Sequence, residues 1–329
     1  MSEPREYGED DGDRGASFSD RISVVVPTRD RGAMVVGTIR SILQGGLRPK
    51  HLIVVDQSRS DETAVAVAGF LGCEWFQYIR TDTIGISTAR NIGGRAASTP
   101  IIATTDDDCE VLPNWLEAVL TAFDEHPTAA IVLGNVEAAP HPSGGFIPAY
   151  QVSKVVLAQG VNQKHRVEGI GACLAYRADL WRELGGFDEL LGVGAPLASA
   201  EEVDFMIRAL AKGHTICETP EVGVVHHGFR RFEEGGELIA GYLCGIGAVS
   251  AKHLRRHFAS YSHVLARLAA RWVWGGPVVD FGHLPPKLLR LQAFLRGFRQ
   301  GWKLSYDRKG HFTPDYVRVP QGDRCLLKP

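Results

Sequence analysis

The sequence predicts an α/β fold built on a mostly parallel, Rossmann-like sheet. From Ile22 the chain alternates between short β-branched runs and segments whose apolar residues recur at helical spacing. The strand-like runs are apolar throughout, which is typical of strands covered by helices on both faces. Three of these runs are followed by polar residues, at positions 27–30, 56–58 and 106–108. Because the carboxyl ends of parallel strands meet at one edge of a sheet, we expect the functional site there.

The predicted elements are bounded by residues that commonly end or start them. Pro27 stops the first strand, Gly45 ends the first helix, and Pro113 begins the fourth. Strands are predicted at 22–26, 51–55, 75–79, 101–105, 130–136, 170–176 and 222–227. Helices are predicted at 34–43, 62–71, 86–97, 113–123, 178–184 and 201–212, and the chain beyond residue 233 also has a helical pattern.

Composition divides the chain into three parts. Residues 1–20 are acidic and have few large apolar side chains, so we predict a disordered tail. Residues 21–232 form the predicted α/β domain, and residues 233–329 a basic helical extension. From Lys252 onward there are fifteen Lys and Arg, four Asp and no Glu, although the whole chain carries a net charge of only −2. That overall balance argues against a nucleic-acid-binding protein.

The sequence also predicts where the protein resides. No apolar run that would suit a secretory signal precedes Ile22. No stretch reaches the roughly 18 consecutive apolar residues that a membrane span needs. We therefore expect a cytoplasmic protein.

The acidic triplet Asp106, Asp107 and Asp108 directly follows an apolar strand. In an extended chain alternate side chains share a face, so Asp106 and Asp108 are expected to point the same way. Two such carboxylates suit Mg²⁺ or Mn²⁺, with phosphate oxygens completing the coordination. The alternative is a solvated acidic turn before the next helix, and the triplet by itself does not decide between them.

Six segments together carry a resemblance. They read ISVVVPTRD (22–30), IVVDQSRSDET (53–63), GISTARNIG (85–93), TDDDCEVLPNW (105–115), GGFDE (185–189) and AEEVDFMIR (200–208). In this order they resemble the family 2 glycosyltransferases over about residues 20–230. The resemblance implies a GT-A fold and an inverting sugar transfer with Mg²⁺ or Mn²⁺. It implies a nucleotide-sugar donor, with a UDP-sugar favoured over dTDP- and GDP-sugars, and a hydroxyl acceptor.

The resemblance also implies roles for particular residues. Asp56 would bind the nucleotide base, with Ser58 and Asp61 supporting its loop, and Asp108 would ligate the metal. The implied nucleotide-binding residues are Pro27, Thr28, Asp30, Asp56, Ser58, Arg90, Asp106 and Asp107. Alternatively, Asp56 and Asp61 are ordinary turn and cap residues, and Arg90 is a solvated helix residue.

The general base of the resembled family is the Asp of a Glu-Asp pair that opens a late helix. Here the pair reads Glu201-Glu202, so Glu202 is the predicted base and Glu201 the next candidate. A competing interpretation is a capping box, in which Ser199 caps the helix and Glu202 bonds back to it. Asp204 and Arg208, four residues apart, are expected to form a helix-surface or scaffold pair.

Two adjacent histidines end a predicted valine-rich strand. Imidazole ligates Mn²⁺ and can also bind a diphosphate. The predicted metal ligands are therefore Asp108, Asp106 and one histidine, with His226 preferred to His227.

The basic extension contains a predicted amphipathic helix. Its apolar side comprises Leu288, Leu289, Leu291, Phe294, Leu295 and Phe298. Two interpretations stand: docking on an anionic membrane at its inner face, or packing on the α/β domain. We also expect this part to contact the acceptor or a second copy of the chain.

Two other function classes remain open at this stage. A nucleotidyltransferase could share the sheet and the acidic residues, but it would release pyrophosphate from a nucleoside triphosphate. A non-catalytic protein would bind the nucleotide sugar without turnover, and the Glu at position 202 keeps that class open.

Overall fold

The computed structural model describes residues 17–274 and 286–313, with side chains up to residue 268 in the first range. The predicted tail up to residue 16 lies outside the described residues, and so do residues 275–285 and 314–329 of the predicted extension. The strands are β1 Ser17–Thr28, β2 Leu47–Asp56, β3 Phe76–Arg80, β4 Ile101–Thr104, β5 Cys109–Val111, β6 Ala129–Ala138, β7 Gly145–Phe146, β8 Val156–Gln159, β9 Leu174–Arg177, β10 Thr215–His226 and β11 Arg230–Arg231. The helices are α1 Gly32–Leu43, α2 Glu62–Ala66, α3 Ile86–Ala96, α4 Trp115–Glu125, α5 Ala178–Leu184, α6 Glu201–Ala211, α7 Phe232–Arg256, α8 Phe258–Trp274 and α9 Lys287–Lys303.

One sheet organises the described chain. Its strand order is β3-β2-β1-β4-β9-β6-β10-β5, and β8 pairs with β10 as well. The strands β3, β2, β1 and β4 are parallel to one another, whereas β9 is antiparallel to both of its neighbours. Each of the first three strands is followed by a helix that returns the chain to the same edge, as the alternating pattern predicts. The predicted α/β class with a mostly parallel sheet and C-terminal helices is confirmed.

Both faces of the parallel strands are buried. In β1, Val24 and Val26 belong to the apolar core on one face, and Val25 packs with Ile53 and Val55 in the core on the other. All five side chains have no solvent exposure. Strand positions that point in opposite directions are thus equally apolar, which explains why the strand runs are continuous rather than alternating.

Several boundaries differ from the sequence prediction because of strand pairing. β1 begins at Ser17, inside the segment predicted to be a tail, since residues 17–19 pair with residues 47–49 of β2. β10 begins at Thr215, seven residues before the predicted strand, since residues 215–218 pair with β6 and β8. In both cases a neighbouring strand supplies hydrogen bonds that the apolar pattern does not reveal.

The helices α7, α8 and α9 follow the sheet. α7 extends for 25 residues, and buried in its last turns are Ser250, Lys252 and His253. α9 packs along α7. Among the described residues, no helix combines the length and the hydropathy that crossing a membrane would require.

Candidate active site

The candidate site lies where the order of the parallel strands changes direction. From β1 the chain proceeds to β2 and β3 on one side, whereas β4 lies on the other side of β1. The loops after β1 and β4 therefore diverge and leave a crevice at the carboxyl edge, which is the usual ligand position in such sheets. Thr28 ends β1, and the acidic triplet follows Thr104 at the end of β4.

Asp107 is buried in this crevice and holds the two loops together. The Thr28 hydroxyl donates to Asp107 Oδ2 at 2.7 Å. The Thr38 hydroxyl, on α1, lies 2.9 Å from the carbonyl oxygen of Asp107 and 2.7 Å from that of Cys109. Burial raises the pKa of Asp107 to about 6, although the neighbouring Arg31 opposes that shift.

Arg31 is a site residue that the sequence analysis missed. Its Nη1 lies 3.0 Å from Asp107 Oδ1 and 2.8 Å from Asp108 Oδ2, so one guanidinium bridges two carboxylates. Burial disfavours its charge, but the two carboxylates outweigh that effect and raise the pKa of Arg31. Its signal in the sequence is a basic residue directly after the polar exit of the first strand. The side chain is 36% exposed, so it can move.

The expectation that Asp106 and Asp108 share a face is wrong. β4 ends at Thr104, and the Cys109 N–H donates to the carbonyl oxygen of Asp106 at 3.3 Å, which closes a turn. Strand alternation does not apply inside a turn. Asp106 instead contacts Arg90, and Asp108 contacts His226.

Asp108 and His226 form the pair best suited to a metal. His226 Nε2 lies 3.2 Å from Asp108 Oδ1, while its Nδ1 lies 3.1 Å from the carbonyl oxygen of Pro148. In the neutral ring, Nδ1 therefore donates to Pro148 and the Nε2 lone pair faces Asp108. Burial works against the charges of both groups. When the ring is protonated, Nε2–H donates to Asp108. This hydrogen bond and the attraction between the two charges outweigh burial, lowering the pKa of Asp108 and raising that of His226.

Cys109 completes the group of ligand atoms that lie within 4.8 Å of one another. Burial raises the pKa of its thiol well above the usual range, so it stays neutral. Thiolates also suit softer metals than Mg²⁺ or Mn²⁺. The His227 side chain is 46% exposed with Nε2 at 3.5 Å from Glu110 Oε2, and only its backbone N–H contacts Asp108, donating to the carbonyl oxygen at 2.8 Å. Of the two histidines, His226 is the one beside the carboxylate.

Gly228 packs closely against this pair. A Cβ at that position would lie 2.5 Å from His226 Nε2 and 2.9 Å from Asp108 Oδ2. Any side chain there would displace His226 or Asp108, so this close approach requires glycine. One carboxylate and one oriented imidazole fit a divalent ion that takes its remaining ligands from a substrate.

Arg90 connects the end of β4 to the start of α6. Its side chain is 1% exposed, with Nη1 at 2.8 Å from Glu201 Oε1 and Nη2 at 3.1 Å from Asp106 Oδ1. Nη2 also donates to the carbonyl oxygen of Gly171 at 3.2 Å. The interpretation of Arg90 as a solvated helix residue is therefore wrong. α3 points this side chain into the site because Ser87, Arg90 and Asn91 share its buried face.

The capping box at the start of α6 is also absent. The residue that precedes the helix is Ala200, and no side chain caps the helix. Ser199 instead donates to the carbonyl oxygens of Gly241 and Tyr242 on α7, at 3.3 and 3.1 Å. Ala198 and Ala200 have positive φ angles of 63° and 70°, a strained conformation for alanine that is common at functional sites.

Glu201 and Glu202 are both buried but differ in their environment. Glu201 is the ion-pair partner of Arg90. Burial, followed by the charge of Glu201, raises the pKa of Glu202 to about 8. A like-charged neighbour in a dry site favours one ionised and one neutral carboxyl, and Arg90 selects Glu201 as the ionised one.

The predicted nucleotide-binding residues at the ends of β1 and β2 belong to two loops that are linked by hydrogen bonds. The Asp30 N–H donates to Ser58 Oγ at 2.7 Å, and Arg59 N–H donates to Asp30 Oδ1 at 3.2 Å. Asp30 itself has a φ of 55°, which turns the chain sharply after β1. Pro27 is buried within β1. The loops after β1 and β2 thus form one unit.

Asp56 and Asp61 have different degrees of exposure in the second loop. Asp56 is fully buried and accepts bonds from the Tyr78 hydroxyl at 2.6 Å and the Ser58 N–H at 2.8 Å. Asp61 is exposed and pairs with Arg80, which also donates to the carbonyl oxygens of Arg59 and Ser60. Asp61 therefore supports the loop, as expected, and Asp56 lies beneath it.

Comparison with known proteins agrees with this architecture. The model of the family Glycosyl transferase family 2 matches residues 23–185, about half of the chain. A validoxylamine A glucosyltransferase of Streptomyces hygroscopicus subsp. limoneus is 29% identical over 117 residues, which are 34% of this chain and 26% of that protein. The glucosyl-dolichyl phosphate glucuronosyltransferase of Haloferax volcanii is 25% identical over 57% of this chain and 63% of its own length. The chain thus spans between about a quarter and two thirds of these relatives.

Solved structures share the fold at lower identity. S. aureus TarS 1–349 superposes with a TM-score of 0.56 at 16% identity, covering 86% of this chain and 81% of that one. GalNAc-T7, solved with UDP, GalNAc and Mn²⁺, superposes with a TM-score of 0.52 at 17% identity, covering 85% and 55%. The strand order, the strand-end acidic turn and these matches lead to one conclusion: the chain belongs to the family 2 glycosyltransferases and has the GT-A fold.

Proposed function

We propose that this protein transfers a sugar from a nucleoside-diphosphate sugar to a hydroxyl acceptor, with inversion at the anomeric carbon and a divalent cation. The observation that carries the proposal is the Asp108–His226 pair, which lies beside the crevice at the end of β4. Such a pair at the carboxyl edge of a parallel sheet suits a cation that also binds phosphate oxygens.

The donor is proposed to lie across the crevice. Its nucleoside would contact the linked loops of Asp30, Ser58 and Asp56, and its diphosphate would reach toward Asp108. A UDP-sugar is the first candidate, since TarS has been solved with UDP-GlcNAc at 15% identity to this chain. dTDP- and GDP-sugars belong in the same test.

Asp108 and His226 would hold Mg²⁺ or Mn²⁺, which when bound neutralises the charge that develops on the departing diphosphate. In the proposed reaction the acceptor oxygen forms a bond to the anomeric carbon while the bond from that carbon to the diphosphate oxygen breaks. Glu202 accepts the hydroxyl proton, and the nucleoside diphosphate leaves with the electron pair. Arg90 fixes Glu201, so that Glu202 is the carboxyl available to the acceptor.

Product analysis tests the reaction class. Purified protein is incubated with Mn²⁺ and UDP-, dTDP- or GDP-sugars, and released nucleotide is separated by chromatography. A glycosyltransferase releases nucleoside diphosphate, and EDTA stops the release. Pyrophosphate formed from a nucleoside triphosphate would identify a nucleotidyltransferase. Donor binding without release across an acceptor panel would support a non-catalytic binding protein.

Glu202→Gln tests the base. We expect turnover to fall about 10²- to 10⁴-fold with donor affinity retained, because a positioned base contributes a factor of that size. In the wild type, kcat/KM should rise with pH through pH 8 and level off only above it, because the raised pKa keeps Glu202 mostly protonated below that value. Rates over pH 6–9 and calorimetry of donor binding measure both effects.

Glu201→Gln is the matched control. It removes the charge that pairs with the buried Arg90, so we expect it to lower the melting temperature, which Glu202→Gln should leave near the wild-type value. A folded Glu202→Gln protein with normal turnover would exclude Glu202 as the base.

A further inference from the structure

Four large apolar side chains of helix α9 are exposed to solvent. Leu288, Leu291, Leu295 and Trp302 are 65%, 53%, 39% and 50% exposed. They are spaced by three, four and seven residues, so they lie along one side of the helix. We call these four residues the outer stripe. The buried positions of α9 include Ala293, Gly297 and Gly301. The helix therefore buries its small residues and exposes its leucines and Trp302, whereas an ordinary amphipathic helix buries its large apolar side chains.

The packing of α9 on α7 dictates this orientation. A Cβ at Gly297 would overlap the carbonyl oxygen of Cys244, and one at Gly301 would overlap that of Ala248. Only glycine permits such close approach of two helix backbones. Rotating α9 to bury the outer stripe would force leucine side chains into this contact. The exposure of the stripe is thus a consequence of the tightest contact in the extension.

The outer stripe is surrounded by positive charge. Lys287, Arg296, Arg299 and Lys303 are exposed, and α9 contains no Asp or Glu. On the helix, Arg299 and Lys303 follow Leu295 at positions four and eight, directly beside the stripe. An apolar stripe with a cationic rim matches the boundary between the headgroups and acyl chains of an anionic bilayer.

We propose that the outer stripe of α9 docks this protein on an anionic lipid surface. The leucines and Trp302 enter the headgroup boundary, and the Lys and Arg side chains contact lipid phosphates. A second copy of the chain is the poorer occupant, because a twofold contact through this face would oppose cations with cations. The proposal does not depend on the transfer reaction.

Vesicle flotation of the full chain tests the proposal. Vesicles of phosphatidylcholine with phosphatidylglycerol are compared with vesicles of phosphatidylcholine alone. The wild type should bind the anionic vesicles and be released by high salt. The triple substitution Leu288→Gln, Leu291→Gln and Leu295→Gln should lower the partition coefficient at least about tenfold. Leu71→Gln, an equally exposed leucine elsewhere in the chain, is the matched control and should change nothing.

A second variant keeps the test independent of the leucines. Replacing Arg296, Arg299 and Lys303 by Gln should remove the preference for anionic vesicles, because the rim supplies that preference. Thermal unfolding checks that each variant is folded. Absence of wild-type binding, or unchanged binding of both variants, would overturn the proposal. So would a dimer in light scattering that the leucine variant converts to a monomer while vesicle binding is absent.

Discussion

Two cationic side chains each bridge a pair of carboxylates in this molecule, and their surroundings give them opposite roles. Lys252 lies 2.8 Å from Asp188 and 2.7 Å from Asp204, with no exposure of any of the three beyond 1%. Arg31 lies at similar distances from Asp107 and Asp108, but it is 36% exposed. One bridge is sealed and the other opens onto a crevice.

The sealed cluster has a complete set of partners. Asp204 also accepts from Arg208 at 2.8 Å and from His253 at 2.8 Å. Asp188 accepts from the backbone N–H of Phe312 at 2.7 Å. The pair predicted for the surface or scaffold of α6 is therefore a buried scaffold that fixes α6 against α7. In the open cluster, by contrast, the bridging Arg31 is 36% exposed and can be reached by a ligand. We infer that the sealed bridge serves the scaffold and that the open bridge can exchange its cation for a ligand.

Removing the bridging cation should lower the free energy of unfolding much more in the sealed cluster than in the open one. Lys252→Met leaves two buried carboxylates without their shared cation, so we expect the free energy of unfolding to fall by about 3–5 kcal/mol. Arg31→Met, the matched change in the open cluster, should cost less, because Asp107 keeps the Thr28 hydroxyl and Asp108 keeps His226 as partners. Urea denaturation measures both, and equal losses would remove the distinction.

Crowding the Asp108–His226 pair should weaken metal binding without replacing either ligand. Gly228→Ala places a methyl group against His226 and Asp108, and we expect the affinity for Mn²⁺ to fall about 10- to 100-fold, as for disturbed metal-site surroundings. Calorimetry with Mn²⁺ measures this. Gly37→Ala, where a Cβ meets nothing within 4 Å, is the control. Unchanged affinity in Gly228→Ala would place the cation elsewhere.

Removing the Arg31 charge should raise the affinity of the site for a metal cation. Arg31 competes with a metal for Asp108, so Arg31→Gln should raise the affinity for Mn²⁺ by roughly two- to fivefold, the factor that corresponds to one exposed ion pair. The measurement is made without nucleotide, so that contacts of Arg31 with a diphosphate do not enter. Arg29→Gln changes a charge in the same loop that pairs with Asp30 and serves as the control. Weaker metal binding in Arg31→Gln would contradict the competition.

The last comparison concerns pH and the sealed cluster. Burial lowers the pKa of His253 from 6.5 to about 4, so the unfolded chain binds a proton between those values that the folded chain does not. This contribution to stability is complete above pH 6.5 and is lost as the pH falls toward 4. The difference in unfolding free energy between wild type and His253→Gln should therefore change across this window. A difference that stays constant between pH 6.5 and 4 would contradict this assignment.

The sequence by itself determined the α/β class, the carboxyl edge that carries the site, and the family. Apolar runs, their helical neighbours and the polar strand ends are local features, and local periodicity is sufficient to identify them. The glutamate pair and the acidic triplet could be named in the same way, because a motif is a property of neighbouring residues.

Only the tertiary structure decided which side chains meet. Arg31 reaches Asp108 across 77 residues, and Arg90 reaches Glu201 across 111. Ser199 donates to carbonyl oxygens of α7 rather than capping α6, because the residue that directly precedes α6 is Ala200. The apolar side of α9 faces outward because glycines on its other side allow closer packing. Each outcome depends on the distance between elements far apart in the chain, and that distance is set by how the whole core packs rather than by any local pattern.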